Sequence, residues 1–381
     1  MRVSAPVPLV TCVHTRGAVA GLRALGVAGP GPIAVGPGWT AAGLWSRYTR
    51  RRVAGADTIE APVDFVRRVG EAASGFPEVV IYPGQEESLD ALLAHEKLLP
   101  AHARLPYPPG AGADLRNKAS LARLAEAAGF NPPRTLYDGP AGGLAAAGLT
   151  PPFVVKPLMK ASGFGPAAVI ETAGDLEHAI QGLPAGEPLL AQEHLVGDLV
   201  AVSLVTGPGG STVARFQQRA LRTWPPDAGP SSVAVSVAPD EELISRSAAL
   251  LGDAGYWGLA ELQFLVTESG MRGPIDVNPR FFGSLPLALA AGVNLPAAWH
   301  AVATGQPAPT PAGYREGVTY RWFEAELLAA IHGSPRVLLG RPRRPRVGAM
   351  WSAADPVPGV LLGGRALAEW LARRVRRGNA A

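Results

Sequence analysis

The sequence predicts a parallel α/β domain followed by a larger α+β region, and three observations carry that prediction. The first hundred residues alternate short apolar runs with helix-period segments, the rhythm of strands joined by crossover helices. After a Pro-Pro-Gly-Ala-Gly stretch at 108–112 the texture changes to strands arranged as hairpins. The 381 residues suit two or three domains at about 100–200 residues each.

In order along the chain, Val7–Val13, Ile33–Val35 and Glu78–Tyr82 read as strands, with Gly21–Leu25 and Val63–Ala73 among the intervening helices. Leu115–Ala128 is helical by period, with Lys118 in its first turn, and Gly129 with Pro132-Pro133 stops it. Phe153–Lys156 and Val169–Ile170 form an expected hairpin around a loop at 159–168. Leu189–Gln192 and Leu199–Val205 are further strands. A helix over Glu241–Ala254 leads into a strand at Gly258–Val266, a turn at Glu268–Gly273 and a strand at Ile275–Asn278. The end of the chain is an amphipathic helix at Ala366–Arg377, and no internal repeat is present.

Composition excludes several function classes. Hydrophobic residues make up 47% and charged residues only 17%, which rules out a disordered or heavily charged protein. The single cysteine, Cys12, rules out a disulfide framework, and no Cys/His cluster has zinc spacing; a reducing cytoplasm is expected. The net charge of +4 is uneven. Residues 311–381 hold 12 Arg against 5 acids, leaving the body slightly acidic and unlike a nucleic-acid binder. The basic residues are 31 Arg but only 4 Lys, at positions 97, 118, 156 and 160, so each lysine marks a place where a compact ammonium is favoured. Pro6 and Pro8 interrupt the first apolar run, so no signal peptide is expected. Residues Gly283–Gly305 carry no formal charge besides His300, yet Pro286, Gly292, Asn294 and Pro296 split them into two short core helices rather than a membrane span.

No phosphate-binding P-loop, dinucleotide fingerprint or nucleophile elbow occurs. The chemistry concentrates at 258–284. Along Gly258–Val266 the alternation of a strand puts Glu261, Gln263 and Leu265 on one face, and Asp276 and Asn278 share a face of the next strand. Two adjacent strands can thus converge a carboxylate and two amide oxygens, a set that suits magnesium, which takes one or two protein carboxylates and leaves positions for water and phosphate. A polar face on an antiparallel pair is ordinary by itself. Arg280, directly after Asn278-Pro279, adds a guanidinium able to hold phosphate or a developing oxyanion.

Gly258-Leu-Ala-Glu-Leu-Gln-Phe, Asp276-Val-Asn-Pro-Arg-Phe-Phe-Gly-Ser284 and Ala291-Gly-Val-Asn-Leu-Pro296 resemble the metal-binding core of the ATP-grasp superfamily. Within it they are similar to carboxylate–amine ligase-like proteins, while Gln263 resembles the metal position of carbamoyl phosphate synthase. The resemblance implies an ATP-grasp fold with an N-terminal Rossmann-like (pre-ATP-grasp) domain at 1–112. It implies an ATP-grasp domain at 113–310, with a lid of about 134–192 and a core lobe at 193–310, and leaves a basic C-terminal extension at 311–381. It places Gln263, Asp276 and Asn278 on the magnesium ligands (one or two ions) and Arg280 on the catalytic arginine. ATP would be met by Lys118, Lys156, Gln192, Glu193, Leu195 and Asp198. Asp276 and Gln263 both replace glutamates that are more usual in the family, so these ligands bring one formal negative charge, and a nucleotide-binding protein without turnover stays open.

The implied activity joins a small-molecule carboxylate, activated as an acyl phosphate, to an amine; phosphorylation of another small acid is the alternative. The basic strand around Arg215–Arg222 is similar to one bordering the acceptor pocket, with Arg219 the expected substrate contact. Arg219 and Arg222 cannot share a strand face unless a bulge intervenes. His14 and His300 read as structural, Glu86 and Glu87 as solvated, and the clusters Arg341–Arg346 and Arg373–Arg377 as a solvated basic tail; neither nucleic acid nor membrane is an expected partner, and the oligomeric state is open.

Overall fold

The computed structural model describes residues 5–55, 57–108, 110, 112–159, 167–226, 229–308, 313–332 and 346–363. Lys160 and most of the loop at 159–168, positions 341–345 of the arginine-proline cluster and the expected helix at Ala366–Arg377 lie outside these. The chain divides into two compact units, one of Met1–Pro106 with Arg280–Ala381 and one of Tyr107–Pro279. This differs from the sequence expectation, because residues 280–310 join the N-terminal unit instead of continuing the middle domain.

The first unit opens with β1 (Val7–Val10), α1 (Arg16–Ala28), β2 (Ile33–Gly36), β3 (Arg51–Ala54), α2 (Pro62–Ala73), β4 (Val79–Tyr82), α3 (Glu86–Ala94) and β5 (Ala103–Arg104). They form a parallel sheet ordered β3-β2-β1-β4-β5. Strands β1, β2 and β4 are buried along their whole length, which is why they read as unbroken apolar runs. The sequence pattern misses β3 and β5, the two edges. The first begins with two exposed arginines and the second has two residues, so neither carries an apolar run.

The second unit begins with α4 (Ala113–Arg116) and α5 (Lys118–Ala127), where the sequence pattern predicts one helix. Asn117 divides them by capping α5: its Oδ1 accepts from the amides of Ala119 and Ser120 at 3.1 and 3.0 Å. Next come β6 (Thr135–Pro140), α6 (Ala141–Leu144), β7 (Phe153–Pro157), β8 (Ala168–Ile170), α7 (Ala173–Ile180) and β9 (Pro188–Glu193). Their antiparallel sheet, β6-β9-β7-β8, closes over Leu144, Phe153, Val155, Ile170 and Leu189.

The rest of this unit is β10 (Asp198–Thr206), β11 (Thr212–Thr223), β12 (Ser231–Ser236), α8 (Glu241–Asp253), β13 (Gly258–Thr267) and β14 (Gly270–Asn278). The strands pair antiparallel in the order β14-β13-β10-β11-β12. The turn expected at Glu268–Gly273 is shorter, because β14 already starts at Gly270. Gly273 and Pro274 sit in its interior, where the register with β13 shifts. Gly273 lies against Pro132, where a Cβ would come within 2.9 Å of its backbone, so the residue serves a close approach and not the turn.

The chain then returns to the first unit with α9 (Leu285–Ala291), α10 (Leu295–Thr304), β15 (Thr319–Arg321), α11 (Phe323–His332) and β16 (Arg346–Gly348). Helices α9 and α10 meet at 97°, and among the described residues no single helix is long and apolar enough to cross a membrane. Glycines on α1 admit the preceding segment: a Cβ at Gly17 would meet the Phe282 backbone at 2.8 Å, and one at Gly21 the Phe281 ring at 2.5 Å. The Phe281 ring stacks on Tyr82 and meets Trp299 edge-on. His300 Nδ1 shares a 2.8 Å hydrogen bond with Tyr82 Oη, and burial lowers the imidazole pKa, in line with a structural role.

Candidate active site

The β13–β14 hairpin sets Gln263 directly opposite Asp276 and Glu261 opposite Asn278. The four polar side chains therefore occupy one face, since directly paired residues in an antiparallel ladder point the same way. The register extends across the sheet, with Ala201 of β10 between Gln263 and Gln218 of β11. The small alanine leaves room for Gln218 to reach in. Glu261, only 3% exposed, accepts hydrogen bonds from Gln218 Nε2 at 3.3 Å, Gln263 Nε2 at 3.2 Å and Asn278 Nδ2 at 3.3 Å. Asn278 Nδ2 also faces Asp276 Oδ2 at 3.2 Å.

Two lysines reach this hairpin from separate elements. Lys118 is the first residue of α5, and its ammonium pairs with Asp276 Oδ1. The Asn117 cap and a backbone bond from Lys118 N to Leu158 O at 3.0 Å fix where that side chain leaves the helix. Lys156, near the end of β7, donates from Nζ to the Ile275 carbonyl at 3.2 Å. Burial, reinforced by the charge of Lys118, lowers its pKa from 10.5 to about 7. A buried ammonium at this cost is reasonable where an anion is to be received.

The donor set fits a hard divalent cation. Among the described residues no group of three or more His, Cys, Asp and Glu side chains gathers. The hairpin instead offers two carboxylates and two amides, the all-oxygen chemistry of magnesium. The ligands expected from the sequence bring one negative charge here. Glu261 adds a second carboxylate and is the residue that the sequence pattern misses, although strand alternation already puts it on the face of Gln263.

The other expected residues of this unit lie on β9, β10, β11 and the connection between β9 and β10. Gln192 is buried, with Nε2 bonded to the Pro133 carbonyl at 3.2 Å. Glu193 is expected to meet adenine, but its Oε1 accepts from Arg272 Nη2 and Arg134 N, both at 2.9 Å. That carboxylate ties β9 to β14 and to the segment entering β6. Leu195 is half-buried in the connection to β10.

Asp198 and Arg219 pair with each other at 3.1 Å with both side chains substantially exposed, an arrangement worth little in stability. Arg219 lies opposite Val200 and Val235, one residue out of phase with Gln218, so it is on the sheet face away from Gln263 and Asp276. A bulge does intervene at Leu221, placing Arg222 opposite Val233 and on the same face as Arg219. The bulge is the condition under which the two arginines share a face.

Arg280 follows Asn278 by two residues. Within its own unit, its Nε donates to Glu86 Oε2 at 2.9 Å and its Nη1 to the Phe281 carbonyl at 3.0 Å. Glu86 is not solvated as expected; it is 5% exposed at the start of α3 and orients this guanidinium. Nothing local in the sequence links positions 86 and 280, so only folding reveals the pair.

Residues 186–326 match a family model described as ATP-grasp in the biosynthetic pathway with Ter operon. Among solved structures, the biotin carboxylase of Campylobacter jejuni in its β,γ-ATP complex superposes with a TM-score of 0.63 at 16% identity, covering 82% of this chain and 74% of that one. The N5-carboxyaminoimidazole synthetase of Staphylococcus aureus gives 0.61 at 12% identity, covering 81% and 80%. The biotin carboxylase domain of Hydrogenobacter thermophilus 2-oxoglutarate carboxylase, in complex with MgADP, ADP and bicarbonate, gives 0.59 at 15% identity, covering 82% and 73%. No curated protein sequence matches. The protein has the ATP-grasp fold, and its residues 186–326 match an ATP-grasp family model.

Proposed function

We propose that the chain is an ATP- and magnesium-dependent ligase that activates a small carboxylate as an acyl phosphate and delivers it to an amine. The observation carrying this reading is the meeting of two lysines from different elements with one oxygen-lined hairpin: Lys118 on Asp276 and Lys156 on the Ile275 carbonyl. Ammonium groups at those points can take up phosphate oxygens. Gln263, Asp276 and Asn278 would hold the cation, which when bound would neutralise charge on the transferring phosphoryl group. Lys118 neutralises Asp276 in the structure and can turn to phosphate once a cation assumes that task.

In the reaction a carboxylate oxygen attacks the γ-phosphorus, the bond to the β-phosphate oxygen breaks, and ADP leaves. The amine then attacks the acyl carbon, phosphate departs, and the amine nitrogen gives up a proton. Arg280, steadied by Glu86, stabilises the charge that develops on the transferred group. No side-chain nucleophile is required. Transfer to bicarbonate is a second reading, favoured by the bicarbonate-bound carboxylase domain among the structural neighbours.

ADP release screened against amino acids, small carboxylates and bicarbonate tests both. Turnover that needs a carboxylate with an amine, and is lost in Arg280→Ala and Asp276→Asn, supports the ligase. Dependence on bicarbonate alone selects the second reading. Nucleotide binding without ADP from any mixture indicates a binding protein, and equal ADP release by wild type and both variants overturns the site.

A further inference from the structure

We infer that Glu261 is a positioning residue that sets the polarity of the cation site by fixing which end of each amide ligand faces the ion. The inference rests on the magnesium-dependent reading above and adds a role that the donor set alone does not reveal. An amide side chain has a donor end and an acceptor end on opposite sides of one carbon, so anchoring the nitrogen decides where the oxygen points. Glu261 anchors the nitrogens of two of the three proposed ligands, Gln263 and Asn278, and of Gln218 on the neighbouring strand. An ionised carboxylate is acceptor-only, and no other side chain of similar size can receive three amide donors at once.

Gln263 Oε1 makes no hydrogen bond among the described residues and is left for a ligand, while its nitrogen is held at 3.2 Å from Glu261 Oε2. Burial strengthens the arrangement, because a hydrogen bond is electrostatically stronger where water is excluded. Backbone register enforces it as well: Glu261 and Gln263 are alternate residues on one strand, and Asn278 lies directly across from Glu261. Partners that orient metal ligands in this way typically change metal affinity by about 10–100-fold when lost.

The test is titration of the full chain with Mn2+, an ion suited to oxygen ligands, followed by electron paramagnetic resonance in the presence of ADP. Glu261→Gln turns an acceptor into a mixed group facing three amide donors, and Mn2+ affinity is expected to fall about 10–100-fold. ADP affinity in excess chelator should stay near the wild-type value. Glu261→Asp keeps an acceptor-only carboxylate at this position and is expected to retain more of the Mn2+ affinity than Glu261→Gln.

Unchanged Mn2+ affinity in Glu261→Gln beside a loss in Asp276→Asn would overturn the role of Glu261 while leaving the ligase reading standing. Equal Mn2+ binding by wild type and Asp276→Asn would remove the cation site and this inference together. Urea midpoints monitor folding. If Glu261→Gln folds poorly, Glu261→Met, which removes the acceptor and keeps a side chain of similar length, carries the test: lowered Mn2+ affinity supports the role and unchanged affinity overturns it.

Discussion

Lys156 offers the sharpest quantitative test of how the site is charged. The side chain is 8% exposed, and its pKa falls from 10.5 to about 7 because burial removes the ammonium from water and Lys118 repels it. A fall of that size corresponds to about 5 kcal/mol of extra cost for carrying the charge in the folded state. The unfolded chain then binds more protons than the folded one between pH 7 and 10.5, so this lysine makes stability rise with pH across that window. Its penalty is about 4 kcal/mol at pH 7 and about 2 kcal/mol at pH 9.

Lys156→Met keeps a straight chain of similar length and removes the charge. Without nucleotide or metal, the variant is expected to be more stable than wild type at pH 7, with the gap narrowing by about 2 kcal/mol at pH 9. Urea denaturation of both proteins through this range measures the gap, and ADP binding should weaken in the variant. Parallel stability curves for the two proteins would refute the account of Lys156 as a charge held at a cost for an anion.

Three further expectations concern the surroundings of the site. Glu86→Ala removes the carboxylate from a pair whose side chains are only 13% and 7% exposed, and should cost about 3–5 kcal/mol by urea denaturation. Asn117→Ala deletes the α5 cap and should cost about 0.5–2 kcal/mol; if the cap positions Lys118, ADP affinity falls with it. Burial holds the His300 imidazole below its usual pKa, so the unfolded chain takes up its proton first and stability should drop as pH falls through about 6.5. Replacing His300 with Gln should flatten the stability profile there, as followed by thermal unfolding at a series of pH values.

Much of the fold was legible because burial writes itself into sequence. Strands β1, β2 and β4 are covered on both faces and read as apolar runs, whereas the edges β3 and β5 have no such signature. The proline and glycine breaks between α9 and α10 identified two core helices correctly. Gly273 and Pro274 misled in the opposite direction: they resemble turn residues but serve a bulge and a close approach inside β14.

At the candidate site, strand alternation alone determined that Gln263 shares a face with Glu261, and Asp276 with Asn278, because side chains repeat every two residues along an extended chain. Tertiary structure decided what lies across from them. Register set Gln263 against Asp276, brought Gln218 to Glu261 over Ala201, and turned Arg219 to the other face. It also joined Lys118 to Asp276, 158 positions apart, and Glu86 to Arg280, 194 apart. Such pairings depend on the packing of whole elements, and no local period along the chain encodes them.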